Sequence, residues 1–461
     1  MKKYLIFAAT ALIAAVACNK EATQTPELNA ENGTPVLFSA YSQRGLATRS
    51  GEAGLMDLDL LKKGFGVFGY YTGANTYDDQ AQPNFMYNQK VENSGSAWTY
   101  SPIKYWPNQY GSAAISDDVD KVSFFAYAPY VEVTPATGKV KPTGTETQDE
   151  AAAYGIAGMI RNSSTGDPIL KYIGSFDPAK SIDLCWGVAE AADASAWNIV
   201  QTGAAQSGIT AGLAWKDIQR PADAVEQKLK FTFKHALSKL NVQIDADVDV
   251  NAHGHDNALA AGTKVYVRSI SFTGFSMKGA LNLNNIEANK AYWLDYAGTN
   301  DLVTGDEFVL YDGRKDGKEG VAGAVASNEK NLGLNPVILS DDGNSKAGVT
   351  NTAVNLFNSA TATDPVYVIP TGDPIEIVID YDVETADPAL KDLISDGATY
   401  GSSINNVIRK TVTFGSLDKF ENGKAYTIKL HLGMNSVKFD AAVTAWDDPV
   451  ETDVDLPANQ N

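Results

Sequence analysis

The stretch Leu229-Lys230-Phe231-Thr232-Phe233-Lys234-His235-Ala236-Leu237-Ser238-Lys239-Leu240 decides the fold class of this 461-residue chain. From Leu229 to Phe233 apolar and polar side chains alternate, which is the period of a β-strand with one buried and one solvated face. A second strand-like run extends from Leu240 to Val250. Two strands in close succession predict a protein built from β-sheets.

The same strand pattern recurs along the chain. Short segments rich in β-branched and aromatic residues predict further strands at 36–38, 65–71, 121–128, 264–275, 366–369, 375–383, 409–414, 425–432 and 437–443. The clearest helix is predicted at 387–394, where Asp387 suits the N-cap and Pro388 the first turn. Many short strands joined by polar turns predict an all-β fold of sandwich type.

The length of the chain predicts two domains, since 461 residues exceed what one hydrophobic core usually serves. The boundary is predicted near residue 226, after the polar, proline-containing stretch Arg220-Pro221-Ala222-Asp223-Ala224. The predicted domains are therefore 35–226 and 227–461, preceded by a polar, flexible tether at 18–34.

Residues 1–17 have the features of an export signal. Lys2 and Lys3 precede a short apolar run that ends in Ala15-Val16-Ala17, and Cys18 follows directly. We expect cleavage before Cys18 and its acylation, with chains such as palmitate, because several acyl chains give lasting membrane attachment. The alternative is an ordinary secreted protein whose cleavage site happens to include Cys18.

The charge of the chain argues against two classes of partner. The net charge is −19, and it becomes −21 when Lys2 and Lys3 leave with the signal. Such acidity disfavours nucleic acid and anionic lipid as partners and favours solubility.

Once Cys18 is lipidated only Cys185 remains, so no intramolecular disulfide is expected, and the apolar run Leu184-Cys185-Trp186 predicts a buried, inert thiol.

The sequence contains no recognisable catalytic, metal or cofactor motif, so we predict no enzyme activity, no metal and no cofactor. The four histidines match no zinc or nucleophile signature, and structural roles are expected for His235 and His431. His253 and His255 in a polar turn with Asp256 would bind a metal only weakly.

Two further motifs carry no chemistry. The alternating Asp245, Asp247 and Asp249 fail the EF-hand pattern and predict a solvated strand face. The letters of G-x-G-x-x-G at 64–69 lie in a strand-like run without a βαβ unit.

Several segments, weak singly but fairly specific in their order, resemble the fimbrillins, the subunits of the type V pili of Gram-negative anaerobes, and especially the fimbrillin-like group related to the minor fimbria. The resemblance covers nearly the whole chain. Its marks are the lipoprotein signal, the early strand 35–41 followed by Arg44 and Arg49, Lys104-Tyr105-Trp106-Pro107, 122–129, 233–240 and 426–433 running on to Trp446.

This resemblance implies two tandem transthyretin-like β-sandwich domains, export as a lipoprotein to the outer membrane and cell surface, and assembly into fimbriae. In related pilins an Arg-specific protease cuts after the early strand, and a segment of a neighbouring subunit then fills the gap. Arg49, in a small-residue stretch, is the favoured processing site and Arg44 the second candidate.

The resemblance also implies partners. These are other pilus subunits, in a homopolymer or heteropolymer, the outer membrane through the lipid on Cys18, and a host or bacterial surface ligand for adhesion. The donor segment is expected near the C-terminus, at 437–446 or at 450–456, although 437–446 could equally be a strand paired within its own domain.

Two other functions stay open at this point. One is an uncleaved subunit that anchors a pilus. The other is a monomeric glycan-binding lipoprotein, in which Tyr70, Tyr71, Trp98 and Tyr100 would form a sugar-stacking platform, although core packing explains these aromatics equally well.

Overall fold

The architecture comes from a computed structural model that describes residues 35–41, 63–93, 98–106, 121–190, 209–219, 228–246, 263–305, 308–312, 340–341, 346–347, 353–357, 364–386, 401–432 and 437–445. The helix predicted at 387–394, His253, His255, Asp247 and Asp249 lie outside these residues.

The first part of the chain forms short strands and one helical turn. The strands are β1 (Leu37–Tyr41), β2 (Phe65–Gly73), β3 (Met86–Asn93), β4 (Trp98–Thr99), β5 (Lys121–Ala128), β6 (Val133–Thr134), β7 (Lys139–Val140), β8 (Gly155–Met159), β9 (Ile169–Ile173), β10 (Cys185–Val188), β11 (Trp215–Ile218) and β12 (Lys228–His235). The helix α1 (Gln148–Ala151) is held by a capping box between Thr147 and Glu150.

The second part is described only as strands. They are β13 (Ser238–Ala246), β14 (Thr263–Phe272), β15 (Phe275–Ser276), β16 (Lys278–Asn282), β17 (Tyr292–Leu294), β18 (Phe308–Asp312), β19 (Ser340–Asp341), β20 (Lys346–Ala347), β21 (Val354–Asn355), β22 (Val366–Pro370), β23 (Glu376–Ala386), β24 (Gly401–Thr411), β25 (Lys424–Leu432) and β26 (Val437–Ala445). The all-β prediction is confirmed for the described part of the chain, whereas the transthyretin-like tandem stays a prediction.

Within the described residues four sheets carry the fold, besides the small pair β19-β20. Sheet I has the order β1-β12-β10-β5-β2-β3-β4, with β11 paired to β5. Sheet II has the order β17-β16-β9-β8-β7-β6, and sheet IV the order β18-β14-β23-β24. Sheet III has the order β15-β22-β13-β25-β26, with β21 paired to β13.

Three hydrophobic clusters hold these sheets together. One lies on the face of sheet I that buries Phe65, Phe124 and Phe231. The second lies between the opposite face of sheet I and sheet II, where Trp186 and Tyr172 meet. The third fills the space between sheets III and IV. Alternate residues of β5 enter the first two clusters, so this strand is buried on both faces.

Sheet II joins strands from both sides of the predicted domain boundary. Strand β16 pairs with β9 in antiparallel register from Lys278 opposite Ile173 to Asn282 opposite Ile169. The chain itself passes from sheet I to sheet III between β12 and β13, at Ala236 and Leu237. The boundary near residue 226 stays a prediction, and the two parts of the sequence share one sheet.

The solvated face predicted for the strand at 229–233 is wrong at Thr232, while Lys230 on the same face is half-buried. Leu229, Phe231 and Phe233 are buried as expected, but Thr232 and Lys234 on the other face are also buried, at 1% and 3% exposure. The Lys234 ammonium lies 3.7 Å from a carboxylate oxygen of Glu190. The alternation of the sequence marks a core face correctly, but it does not reveal that the opposite face is covered too.

The largest difference from the predicted strand boundaries lies in β24. The strand predicted at 409–414 begins at Gly401 and ends at Thr411, because β24 pairs with β23 from Gly401 opposite Ala386 to Thr411 opposite Glu376. Its first half contains serines and asparagines with weak strand propensity, so the partner strand decides their conformation.

In the described part of the chain no helix has the length and apolar character needed to cross a membrane.

We expect Leu281→Ala on β16 to destabilise the protein by about 2–5 kcal/mol, because Leu281 is fully buried in the cluster between sheets I and II. Urea unfolding followed by the fluorescence of the buried tryptophans measures this loss. The matched control is Leu302→Ala, at a side chain 65% exposed, which should change stability by less than about 0.5 kcal/mol. Equal effects of the two variants would contradict the burial of the β16 hairpin against sheet I.

Candidate functional site: a clamped edge strand

Strand β1 is the edge strand of sheet I and follows the tether predicted at 18–34. It pairs in parallel with β12, from Leu37 opposite Lys228 to Tyr41 opposite Thr232. In sequence, β1 is the first strand of sheet I and β12 is the last. The long connection between them suits a parallel pair, because parallel neighbours cannot be joined by a tight turn. A strand in this position can leave the sheet without breaking any other strand pair.

The alternation of Val36-Leu37-Phe38-Ser39-Ala40 explains how β1 binds. Val36 and Phe38 are buried, at 0% and 2% exposure, and Ala40 packs against the same cluster. Leu37 and Ser39 point to the other face and are half-buried. Three inward-facing residues at alternate positions therefore attach the strand to the hydrophobic cluster of sheet I.

Phe38 is the main apolar anchor of β1. Its ring centroid lies 5.4 Å from that of Tyr100, 5.7 Å from that of Phe124 and 6.0 Å from that of Phe231. The contact with Phe124 is edge-to-face, an arrangement that aromatic pairs favour. Strand β1 thus covers an aromatic pocket formed by β5, β12 and the segment after β4.

A polar clamp holds the start of β1 on its other side. The Val36 amide donates to the Lys104 carbonyl at 2.9 Å, and the Tyr100 hydroxyl donates to the Val36 carbonyl at 2.7 Å. The Lys104 amide donates to the same hydroxyl at 3.2 Å, and Pro35 forms a bridge with Tyr105. Burial raises the pKa of the Tyr100 hydroxyl well above its ordinary value, so the group stays protonated and can donate.

The motif Lys104-Tyr105-Trp106 therefore has a structural explanation. Its backbone pairs with the start of β1, and Trp106 is buried with its ring 5.8 Å from Phe124. Because the end of sheet I beyond β4 reaches back to β1, the sheet curls around the cluster that Phe38 enters. Loss of β1 would uncover one edge of β12 and the pocket that Phe38 fills.

The predicted site residues Cys18, Arg44 and Arg49 lie outside the described residues. The structure describes the chain up to Tyr41 and again from Lys63. Lipidation of Cys18 and cleavage after Arg49 or Arg44 therefore stay predictions.

The C-terminal strand β26 pairs with β25 in antiparallel register, from Lys424 opposite Ala445 to Leu432 opposite Val437. It is the edge strand of sheet III. Ala441 is buried and Val443 packs against the cluster between sheets III and IV. Residues 437–445 are thus paired with their neighbouring strand, one of the two alternatives, and 450–456 lie outside the described residues.

The aromatic residues considered for a sugar platform do not meet on an exposed face. Tyr70 is fully buried and donates to the Gly166 carbonyl at 3.1 Å, and Tyr100 belongs to the clamp. Trp98 packs against Phe65 with ring centroids 5.1 Å apart. The hypothesis of a sugar-stacking platform is wrong for Tyr70 and Tyr100, because both side chains are buried in the core.

Two histidines form hydrogen bonds with aspartates, as their expected structural roles require. His431 Nδ1 lies 2.6 Å from Asp245 Oδ1, between the neighbouring strands β25 and β13. The carboxylate of Asp245 is therefore hydrogen-bonded rather than simply solvated. His235 Nδ1 lies 2.5 Å from Asp183 Oδ2, and Cys185 is buried beside both, as predicted for its thiol.

The cluster of Asp183, Cys185 and His235 was not apparent from the sequence. Asp183 and Cys185 are two residues apart, a spacing that places side chains on one side of an extended chain. His235 comes from β12, and only the pairing of Cys185 with His235 brings it to the other two.

Comparison with known proteins finds no matching family model. The chain is similar to fimbrium subunit Fim1C of Phocaeicola vulgatus, with 23% identity over 471 residues that cover 99% of each protein. This full-length likeness confirms the predicted resemblance to the fimbrillins.

Solved structures are also similar to this chain, at low sequence identity. A fimbrial protein from Bacteroides vulgatus has 18% identity and a TM-score of 0.47, covering 89% of this chain and 99% of that one. The fimbrial anchor protein Mfa2 from Porphyromonas gingivalis has 8% identity and a TM-score of 0.32, covering 90% of this chain and 98% of that one.

We expect Tyr100→Phe to destabilise the protein by about 1–3 kcal/mol, because it leaves the Val36 carbonyl and the Lys104 amide without the hydroxyl that joins them. Hydrogen exchange of the β1 amides should accelerate more than that of β5. Tyr154→Phe, at a side chain 40% exposed, is the control and should be nearly neutral. Unchanged exchange of β1 in Tyr100→Phe would show that the clamp does not retain the strand.

The buried tyrosines predict a loss of stability in alkali. Burial raises the pKa of Tyr100 and Tyr127 above 10, while in the unfolded chain they ionise near 10. Above that pH the folded state holds more protons than the unfolded state, so the free energy of unfolding falls as pH rises and is unaffected by these groups below it. Urea titrations from pH 8 to 11 measure the slope, and Tyr100→Phe should make it shallower. An identical slope would contradict the assigned burial.

Proposed function

We propose that the chain is a structural subunit of a type V-like fimbria, exported as a lipoprotein and assembled by protease-triggered strand exchange in support of adhesion. The observation that carries this proposal is β1, a parallel edge strand that covers an aromatic pocket a few residues before two arginines. The full-length likeness to a fimbrium subunit supports the same function.

The covered pocket gives a reason for keeping β1 during export. A subunit with an open β12 edge would pair with other strands prematurely, because an unpaired edge offers a row of backbone donors and acceptors. Cleavage of one peptide bond, after Arg49 or after Arg44, would separate β1 from the rest of the chain. The strand would then be held only by its noncovalent contacts and could be replaced.

The replacement would come from another subunit by β-strand addition. The segment Val437-Lys438-Phe439-Asp440-Ala441 repeats the Val-x-Phe-x-Ala pattern of Val36-Leu37-Phe38-Ser39-Ala40. In parallel orientation on β12 it would bring Phe439 to the place of Phe38. Release of β26 would cost one ladder, because β26 is bonded to β25 alone among the described strands. The shared Val-x-Phe-x-Ala pattern supports 437–445 as the donor over 450–456.

Lipidation of Cys18 would fix the precursor to the outer membrane while the polar tether 18–34 leaves β1 within reach of a protease. After cleavage at Arg49 the subunit would no longer be covalently linked to that anchor or to β1. Its partners would be other pilus subunits, in a homopolymer or heteropolymer, and a ligand on a host or bacterial surface.

One observation favours a second candidate, an uncleaved anchor subunit. The clamp on Val36 and the burial of Phe38 hold β1 as firmly as an ordinary strand, which suits a protein that keeps it. In that case the subunit would stay on the membrane and donate a strand without accepting one.

Limited digestion with an Arg-specific protease tests the processing step. We expect one cut after Arg49 in the native protein, loss of the fragment that contains β1, and the appearance of oligomers in native sizing. Arg49→Ala should block this cut or move it to Arg44, while Arg161→Ala, outside this stretch, should leave it unchanged. A native protein that resists the protease and stays monomeric would favour the anchor subunit.

Peptides test the identity of the donor. A synthetic peptide of residues 436–446 should bind the trimmed subunit and not the uncut one, because only the trimmed form has an open β12 edge. The same peptide with Phe439→Ala should bind at least about tenfold more weakly, which corresponds to about 1.4 kcal/mol for an incompletely filled aromatic pocket. A peptide of residues 450–456 is the comparison, and tighter binding of that peptide would assign the donor role to the tail.

A further inference from the structure

Three buried side chains with different donor atoms converge where β10 meets β12. Cys185 Sγ lies 3.5 Å from Asp183 Oδ2 and 3.5 Å from His235 Nδ1, and the last two atoms are 2.5 Å apart. Exposure is 0% for Cys185, 1% for His235 and 4% for Asp183. No other group of three such donors within the described residues lies close enough together to share an ion.

We propose that Asp183, Cys185 and His235 form a binding site for one zinc ion. Zinc prefers sulfur, imidazole nitrogen and carboxylate oxygen in tetrahedral arrangement, with bonds of about 2.3 Å to sulfur and about 2.0–2.2 Å to nitrogen and oxygen. Tetrahedral angles then place the sulfur roughly 3.5 Å from each of the other two donors. Both sulfur separations in the structure already have this value.

Only the separation between histidine and aspartate must change. In a tetrahedral site these two donors lie roughly 3.3 Å apart, so the present hydrogen bond would open by less than 1 Å. Its proton would leave to solvent, and the imidazole, ligated through Nδ1, would stay neutral with its one proton on Nε2. The thiol also loses its proton, because the thiolate is the ligand. Zinc with one thiolate, one carboxylate and a neutral imidazole is uncharged overall, which suits a buried site.

The surroundings hold the ligands in place from outside. The second carboxylate oxygen of Asp183 accepts the Leu184 amide at 2.8 Å, and the Leu184 carbonyl accepts the Ala236 amide at 2.8 Å. Cys185 and His235 are directly opposite in the antiparallel pair β10-β12. Such outer hydrogen bonds orient metal ligands and strengthen binding.

The ion would cross-link sheet I beside the passage to sheet III. His235 ends β12, the strand that also carries β1, and the next residues lead into β13. Because the donors are buried, the ion must enter while the chain folds or opens locally. Its binding energy then adds to the stability of the folded state.

The chain provides its own controls. His431 and Asp245 form a similar hydrogen bond, at 2.6 Å, without a thiol among the donors described near them. Cys18 is the other cysteine of the sequence, and His253 and His255 are the other histidines. These residues separate binding at the cluster from binding by any histidine or thiol.

The experiment is to refold the full chain from denaturant with and without zinc, and separately with cobalt(II) as a spectroscopic probe. We expect one metal ion per chain after dialysis, a higher melting temperature with zinc, and the thiolate-to-cobalt charge-transfer absorption. Cys185→Ser and His235→Gln should lose the absorption and at least about tenfold in affinity. Cys18→Ser and His431→Gln should keep both.

Several outcomes would overturn the proposal. One is a wild-type protein with no retained metal and the same melting temperature with and without zinc, a result that needs no variant to fold. Another is metal binding that survives Cys185→Ser and is lost in His253→Gln or His255→Gln. Strand exchange does not enter these measurements, so their failure and the failure of the proposed function are distinguishable.

Discussion

The structure depends on one continuous segment, Lys228 to Ala246, whose apolar side chains from Leu229 to Ile244 are buried on both sides of its bend. Its first part, β12, joins sheet I between β1 and β10, and its second part, β13, joins sheet III between β22 and β25. The bend is held by the indole of Trp293, which donates to the Ala236 carbonyl at 2.8 Å, and by the Gly423 amide, which donates to the Leu237 carbonyl at 2.9 Å. Sheets I, II and III thus meet at two residues.

The two parts of this segment differ in where their parallel partner lies, and this difference bears on the proposed exchange of β1. Both β12 and β13 take part in a parallel pair, with β1 and β25 respectively. Strand β13 has a neighbour on each side, so its removal would divide sheet III. Among the described strands β1 forms a ladder with β12 alone, and it is also held by the clamp on Val36 and the pocket around Phe38. The parallel pair thus lies at an edge of sheet I but inside sheet III.

The second face of β12 adds buried polar groups to this arrangement. Lys234 approaches Glu190, and His235 approaches Asp183 and Cys185. Burying such groups costs free energy unless they are paired, so their partners must be supplied by neighbouring loops and strands. On one side β12 pairs with β1, whereas the polar groups near its end fasten the strand to β10. If β1 is exchanged as proposed, β12 thus keeps these contacts with β10.

The sequence by itself determined the β class, most of the long strands and the face of β12 that carries Leu229, Phe231 and Phe233, because side-chain alternation is a local property. It also identified the Lys104-Tyr105-Trp106 motif and the early strand at 35–41, although not their contact. Only the tertiary structure decided that Tyr100 and Lys104 close on Val36, that β16 from the later part of the chain completes a sheet with β9, and that Asp183, Cys185 and His235 converge. These are contacts between residues far apart in sequence, and their formation depends on which strands pair and which faces are covered, information that no local pattern contains.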